Sequence, residues 1–304
     1  MKRKVRTPYF EIGIKNYLYG DAVLELALRA EEAAKRYDID VMMIVPYTEI
    51  RRVAEHTERL IILAPYMDTL RPGRGIADVL PEAVKAAGAQ GVILNHCEKP
   101  MSLPALRETI QRANELDMLS FVCADTIAEA RAVAQLHPDI INPEPTELIG
   151  GGQVSDMGFV LESIRAIKEI DPNILVEQAA SISTGQQVYD FIYAGAEAVG
   201  ACSGICTAPD PGAKAEEMIA AVRRAKDDRE KAGLQKVLKY RFGGINHGSL
   251  QRDHPGNQHR HAPHLPHDYR TGTGHRGSLR HQKRRGHRLF PPHHLLRDDP
   301  GSQL

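Results

Sequence analysis

Three side chains of complementary chemistry stand at the ends of short β-branched runs: Lys15 closing Tyr9 to Ile14, His96 after Gly91 to Leu94, and Glu144 after Ile140 to Asn142. An ammonium, an imidazole and a carboxylate brought to one point can move a proton between carbons adjacent to a carbonyl. The carboxylate takes the carbon-bound proton, and the imidazole polarises or protonates the carbonyl oxygen. The ammonium stabilises the negative charge of the resulting enediolate. Glu147 competes for the role of base, but Glu144 lies nearer the strand end.

The residues after Glu144 read Pro145-Thr146-Glu147-Leu148-Ile149-Gly150-Gly151-Gly152, stiff at the start and flexible at the end, as a lid would be. A lid matters because an enediol phosphate in water eliminates its phosphate, so the site must close over it. Ser181-Ile182-Ser183 and Cys202-Ser203-Gly204 offer small residues whose backbone N–H groups can approach an oxyanion, which predicts a phosphate cradle. The same serines could equally cap helices. Cys97, Cys123, Cys202 and Cys206 lack the paired spacing of a zinc site and are expected to be reduced thiols.

Positioning these groups requires strands that all end on one side. Between Pro8 and about Lys231, β-branched runs alternate with amphipathic helical stretches, the signature of repeated βα units on a parallel sheet. The strand candidates are eight: Tyr9 to Ile14, Asp40 to Val45, Leu60 to Ala64, Gly91 to Leu94, Met118 to Val122, Ile140 to Asn142, Ile174 to Glu177 and Ala198 to Ala201. Helical patterns follow each, at Ala22 to Arg36, Thr48 to Glu55, Leu80 to Ala87, Leu103 to Leu116, Thr126 to Gln135, Met157 to Ile170, Gly185 to Tyr193 and Ala213 to Lys226. Such a pattern predicts an α/β fold of the closed (β/α)₈ TIM-barrel type, with chemistry at the strand ends. A dinucleotide-binding open sheet is disfavoured, because the turn after the first strand, Gly13-Ile14-Lys15-Asn16-Tyr17, carries no G-x-G-x-x-G.

Two motifs carry a family resemblance. Asn95-His96-Cys97-Glu98 resembles N-H-S-E, and Glu144 to Gly152 resembles E-P-P-E-L-I-G-T-G, both of triosephosphate isomerase in its shorter archaeal-type form. The similarity spans Pro8 to about Lys231. It implies Lys15 as the electrostatic lysine, His96 as a neutral electrophile heading a helix, Glu144 as the base and Glu98 as the carboxylate beside it. Gly150, Gly152, Ser181, Ser203 and Gly204 fall at phosphate-binding positions. The implied reaction interconverts D-glyceraldehyde 3-phosphate and dihydroxyacetone phosphate through an enediol, with no cofactor and no metal. The sequence departs from the family at Gly13, where the family has asparagine, at Gln178-Ala179-Ala180-Ser181, and at Cys97. Lost side chains make room, so a tetrulose phosphate is an alternative substrate, and a phosphosugar-binding barrel without turnover is a second alternative.

Composition divides the chain at residue 247. Residues 1 to 246 hold 29 Lys/Arg against 35 Asp/Glu, whereas the remainder holds ten Lys/Arg against four Asp. Eleven of the 14 histidines fall in 247 to 304, where Glu, Val, Ile and Met are absent. That composition cannot offset ordering entropy, and it predicts a disordered segment or one translated out of frame rather than a metal- or nucleic-acid-binding module. No run approaches the length of a membrane helix and the N-terminus lacks a signal-peptide core, so the expected address is cytoplasmic, without membrane partners. The resemblance implies a homodimer or homotetramer. Ala64 to Asp78 resembles the family's interface loop, although Arg71, Arg74 and Ile76 depart from it.

Overall fold

The computed structural model describes residues 1–149, 155–179 and 181–242, with side chains described through 233. Eight parallel strands close in chain order: β1 (Tyr9–Gly13), β2 (Val41–Ile44), β3 (Ile61–Ala64), β4 (Gly91–Leu94), β5 (Leu119–Ala124), β6 (Ile140–Pro143), β7 (Leu175–Gln178) and β8 (Ala198–Ala201). Closure is made by β8, whose Val199 and Gly200 lie level with Phe10 and Glu11 of β1. The strands are apolar on both faces because both are covered. Side chains of one parity, including Tyr9, Met42, Leu63, Ile93, Phe121 and Ile140, fill the barrel interior. Those of the other, such as Phe10, Ile12, Val92, Val122 and Val199, pack beneath the helices.

The helices are α1 (Asp21–Tyr37), α2 (Ile50–His56), α3 (Pro81–Ala86), α4 (Leu103–Glu115), α5 (Ile127–Ala134), α6 (Met157–Lys168), α7 (Gly185–Ala194), α8 (Ser203–Cys206) and α9 (Pro211–Phe242). Their starts follow capping chemistry. Ser102, Thr126 and Asp156 each accept from the N–H three residues on, and Thr184 with Gln187 forms a capping box.

Strand positions match the sequence reading to within two residues, β5 running on to Ala124 rather than ending at Val122. Two elements differ more. The last helix extends from Pro211 to Phe242 instead of Ala213 to Lys226, because no proline interrupts it and Arg223–Asp227 continues its exposed face. The four-residue α8 is too short to carry a periodicity. No helix among the described residues is long and apolar enough to cross a membrane. The described residues fall within one compact unit, Met1–Asn246; residues 247 to 304 lie outside them.

Candidate active site

The strand order brings the ends of β1, β4, β6, β7 and β8 around one cavity of about 610 Å³. Lys15, His96, Glu98, Glu144, Ser181 and Ser203 all line it. Gly204 is not among the lining residues.

Lys15 follows β1 in a left-handed conformation, φ 49°, which is costly for a residue with a side chain and is held by its surroundings. Behind it Ile14 is fully buried, and its N–H donates to the Ile44 carbonyl at 3.3 Å. The Lys15 Nζ donates to Glu98 Oε1 at 3.2 Å. Burial opposes its charge, but Cys202, Glu98 and Glu144 outweigh burial and raise its pKa, so the ammonium stays charged.

Asn95, left-handed at φ 57°, ends β4 and ties it down. Its amide donates to the Cys123 carbonyl and to Glu129 Oε1, each at 3.0 Å, and its oxygen accepts from Met101 N–H at 2.9 Å. His96 comes next. Its Nδ1 accepts the Glu98 backbone N–H at 3.1 Å, so the neutral ring carries its proton on Nε2. Burial, and then the Lys15 charge, push its pKa below the ordinary histidine value. The expectation that this histidine heads a helix is corrected: α4 starts at Leu103 behind the Ser102 cap, and a tight turn, with Lys99 N–H on the His96 carbonyl at 2.7 Å, supplies the N–H instead.

Glu144 is placed by its own N–H, which donates to the Ala124 carbonyl at 2.8 Å, and by Asn142, whose amide donates to Glu144 Oε2 at 3.3 Å. Glu147 sits exposed on the short 3-10 turn Thr146–Leu148, away from the cavity lining.

Ser181 is left-handed at φ 55°, and its Oγ donates to the Leu148 carbonyl at 2.6 Å, linking the β7 loop to the stretch after β6. Ser203 opens α8. Gly204 is where the two loops touch: a Cβ there would lie 2.5 Å from the Ile182 carbonyl oxygen and 2.8 Å from Ser183 Cα. Gly150 and Gly152 lie outside the described residues. The four cysteines are unbridged, and no group of three or more His, Cys, Asp or Glu among the described residues is placed to hold a metal.

Two lining residues went unremarked as site groups in the sequence. Asn142 supports Glu144 from inside the barrel, and Glu11 reaches the cavity floor from β1. The available signal was an acid in the middle of an otherwise apolar strand, Tyr9-Phe10-Glu11-Ile12.

Comparison with known proteins agrees with this geometry. The family model described as triosephosphate isomerase matches residues 12–189. The triosephosphate isomerase of Methanobacterium bryantii is 35% identical over 210 residues, covering 67% of this chain and 92% of that protein. That of Sulfolobus acidocaldarius is 31% identical over 74% of this chain and 99% of its own length. Among solved structures, the triosephosphate isomerase of Bartonella henselae superposes with a TM-score of 0.56 over 72% of this chain and 99% of that one, at 15% identity, a likeness of fold.

Proposed function

From the premise that the chain belongs to the triosephosphate isomerase family, and is thus an isomerase of the intramolecular oxidoreductase class, we propose that it interconverts a small aldose phosphate and its ketose, D-glyceraldehyde 3-phosphate and dihydroxyacetone phosphate being the pair the family implies. The observation that carries the reading is the convergence of Lys15, His96 and Glu144 on one cavity, with the imidazole held as its Nε2–H tautomer.

In this reading Glu144 removes the proton from the carbon next to the carbonyl and returns it to the neighbouring carbon. Electrons shift onto the carbonyl oxygen as the enediolate forms. The Nε2–H of His96 donates to that oxygen, and a neutral imidazole does so without making a stable ion pair that would have to be broken later. The Lys15 ammonium, oriented by Glu98, stabilises the developing negative charge. Asn142 keeps the Glu144 carboxylate turned toward the cavity. Ser181, Ser203 and the backbone around Gly204 take the phosphate, joined by Gly150 and Gly152 of the lid segment. The balance is internal to the sugar, so the reaction calls on no cofactor and no metal.

The working unit is residues 1 to 246, acting as a homodimer or homotetramer in the cytoplasm.

Coupled steady-state assays of the full chain and of Glu144→Gln test the reading. Loss of the general base is expected to lower kcat by about a hundredfold or more, with little change in KM. A Gln variant as active as the original, or a folded original protein that binds phosphosugar without turning it over, would sink the proposal and leave a binding protein.

A further inference from the structure

The floor of the cavity holds a group that the proton transfer above does not use. Glu11 projects from β1 into the barrel interior and is only 6% exposed, yet it lines the cavity beside Ile44, Ile93 and Phe121. Its Oε1 has no hydrogen-bond partner among the described residues. Glu177, on β7, comes alongside it, fully buried and with both oxygens unpartnered. The space for both carboxyl groups is supplied by β8. Gly200 lies level with Glu11, and a Cβ at position 200 would collide with Glu11 Oε2 and Glu177 Oε1.

Two acids crowded into one buried point cannot both ionise. Burial, then the neighbouring Glu177, hold the Glu11 pKa well above the carboxylate range. The floor is therefore a neutral carboxylic acid, with one O–H to donate and oxygen lone pairs to accept, which is the complement of an alcohol. Gly13, which also lines the cavity, lies next to the acid: a Cβ there would stand 3.3 Å from Glu11 Oε1 and 3.5 Å from Cys202 Cβ, so a longer side chain would compete with a substrate for the acid.

A triose phosphate offers nothing for this acid to do. Its two carbon-bound oxygens are served by His96 and Lys15, and its third carbon carries the phosphate. We propose that Glu11 is a specificity-determining residue, hydrogen-bonding a hydroxyl on one further carbon, so that the preferred substrate is a four-carbon aldose–ketose phosphate pair. The inference rests on the isomerase reading above and alters only the substrate's length.

The test compares kcat/KM for erythrulose 4-phosphate with that for glyceraldehyde 3-phosphate, in the original chain, Glu11→Gln, Glu11→Leu and Gly13→Asn. The original is expected to favour the four-carbon sugar. Glu11→Leu should lower the four-to-three-carbon ratio by about tenfold to a hundredfold, as loss of a buried hydrogen-bonding group does. Glu11→Gln, which keeps a donor and an acceptor, should retain most of the ratio. Gly13→Asn should lower it with Glu11 itself left in place, and so decides the matter if Glu11→Leu fails to fold. A preference for the three-carbon sugar in the original chain, or a ratio unmoved by Glu11→Leu and Gly13→Asn, overturns the inference and leaves the isomerase reading standing. Turnover of neither sugar removes both.

Discussion

At the scale of single residues, the state of His96 is set by a backbone donor rather than by a charge partner. Its Nδ1 is occupied by the Glu98 N–H, and a second proton on that nitrogen would expel the donor from 3.1 Å. Burial and the Lys15 ammonium work in the same direction. The folded chain thus binds fewer protons at this ring than the unfolded chain. As pH falls through the ordinary histidine midpoint of about 6.5 the unfolded chain takes up a proton that the folded chain refuses, so this ring's contribution to stability declines from there until the folded ring itself protonates at lower pH. Nitrogen-15 NMR of labelled protein should show Nε2 protonated and Nδ1 bare at pH 7, with a midpoint below the ordinary histidine value. An Nδ1–H signal at neutral pH would rule out the electrophile assigned here. At Lys15 the sign is opposite. The raised Lys15 pKa keeps the ammonium charged above the usual lysine range, so no loss of activity on the alkaline side should trace to it below about pH 10.

At the scale of elements, the site depends on how closely the loops after β7 and β8 approach. Gly204 permits that approach, since an added methyl must displace the Ile182 carbonyl oxygen at 2.5 Å. Gly204→Ala is expected to cost about 1–3 kcal/mol, the range for forced overpacking, and to raise KM for phosphosugars by moving Ser181 and Ser203 apart. Gly233→Ala, on α9 with nothing within 4 Å of the new methyl, should instead be neutral or stabilising by about 0.5–1 kcal/mol. Thermal melts with substrate titration separate the two, and equal effects would show that position 204 is not a contact between loops. The contrast also marks what the sequence could reveal. Strands were legible because burial on both faces makes each a short apolar run, and the meeting of Lys15, His96 and Glu144 at one cavity because barrel strands all end on one side. Glu11 escaped that search because it lies inside a strand. Its access to the cavity requires the inward parity of β1, Gly200 level with it on β8, and Gly13 above, relations made only by closure. The expected helix start at His96 is absent for a similar reason: whether residues 96–99 form a turn or the first turn of α4 is decided by the Ser102 cap and the Asn95–Met101 bond.

At the scale of the whole molecule, two populations of acids pull the stability profile in opposite directions. Outside the barrel, Asp38 is lowered to about 2 by Arg59 and Arg6, and Glu31 is lowered as well, although burial opposes it, through Lys35 and the backbone N–H groups of Glu58, Leu60 and Arg59. Groups of this kind stabilise the fold above their unfolded midpoints and release that contribution as pH falls. Inside, Glu11 and Glu177 are raised, by burial first. An acid whose folded midpoint is raised contributes most at low pH. It becomes a liability as pH climbs past about 4.5, where the unfolded chain gives up a proton that the folded chain retains, at about 1.4 kcal/mol for each unit of difference. Glu144 opposes ionisation of both acids and Cys202 that of Glu11, while Lys15 favours ionisation of Glu11 and the Tyr9 hydroxyl that of Glu177, too weakly to offset burial. Glu177→Gln removes one titrating group while keeping its volume. It should therefore stabilise the protein at pH 8, with the gain shrinking steadily toward pH 4 and the acid limb of the profile unchanged. Urea unfolding of both proteins across pH 4–9 measures this directly. A variant destabilised at pH 8 would mean that the pair carries a charge matched by the fold, and the neutral floor acid on which the substrate assignment depends would have to be given up.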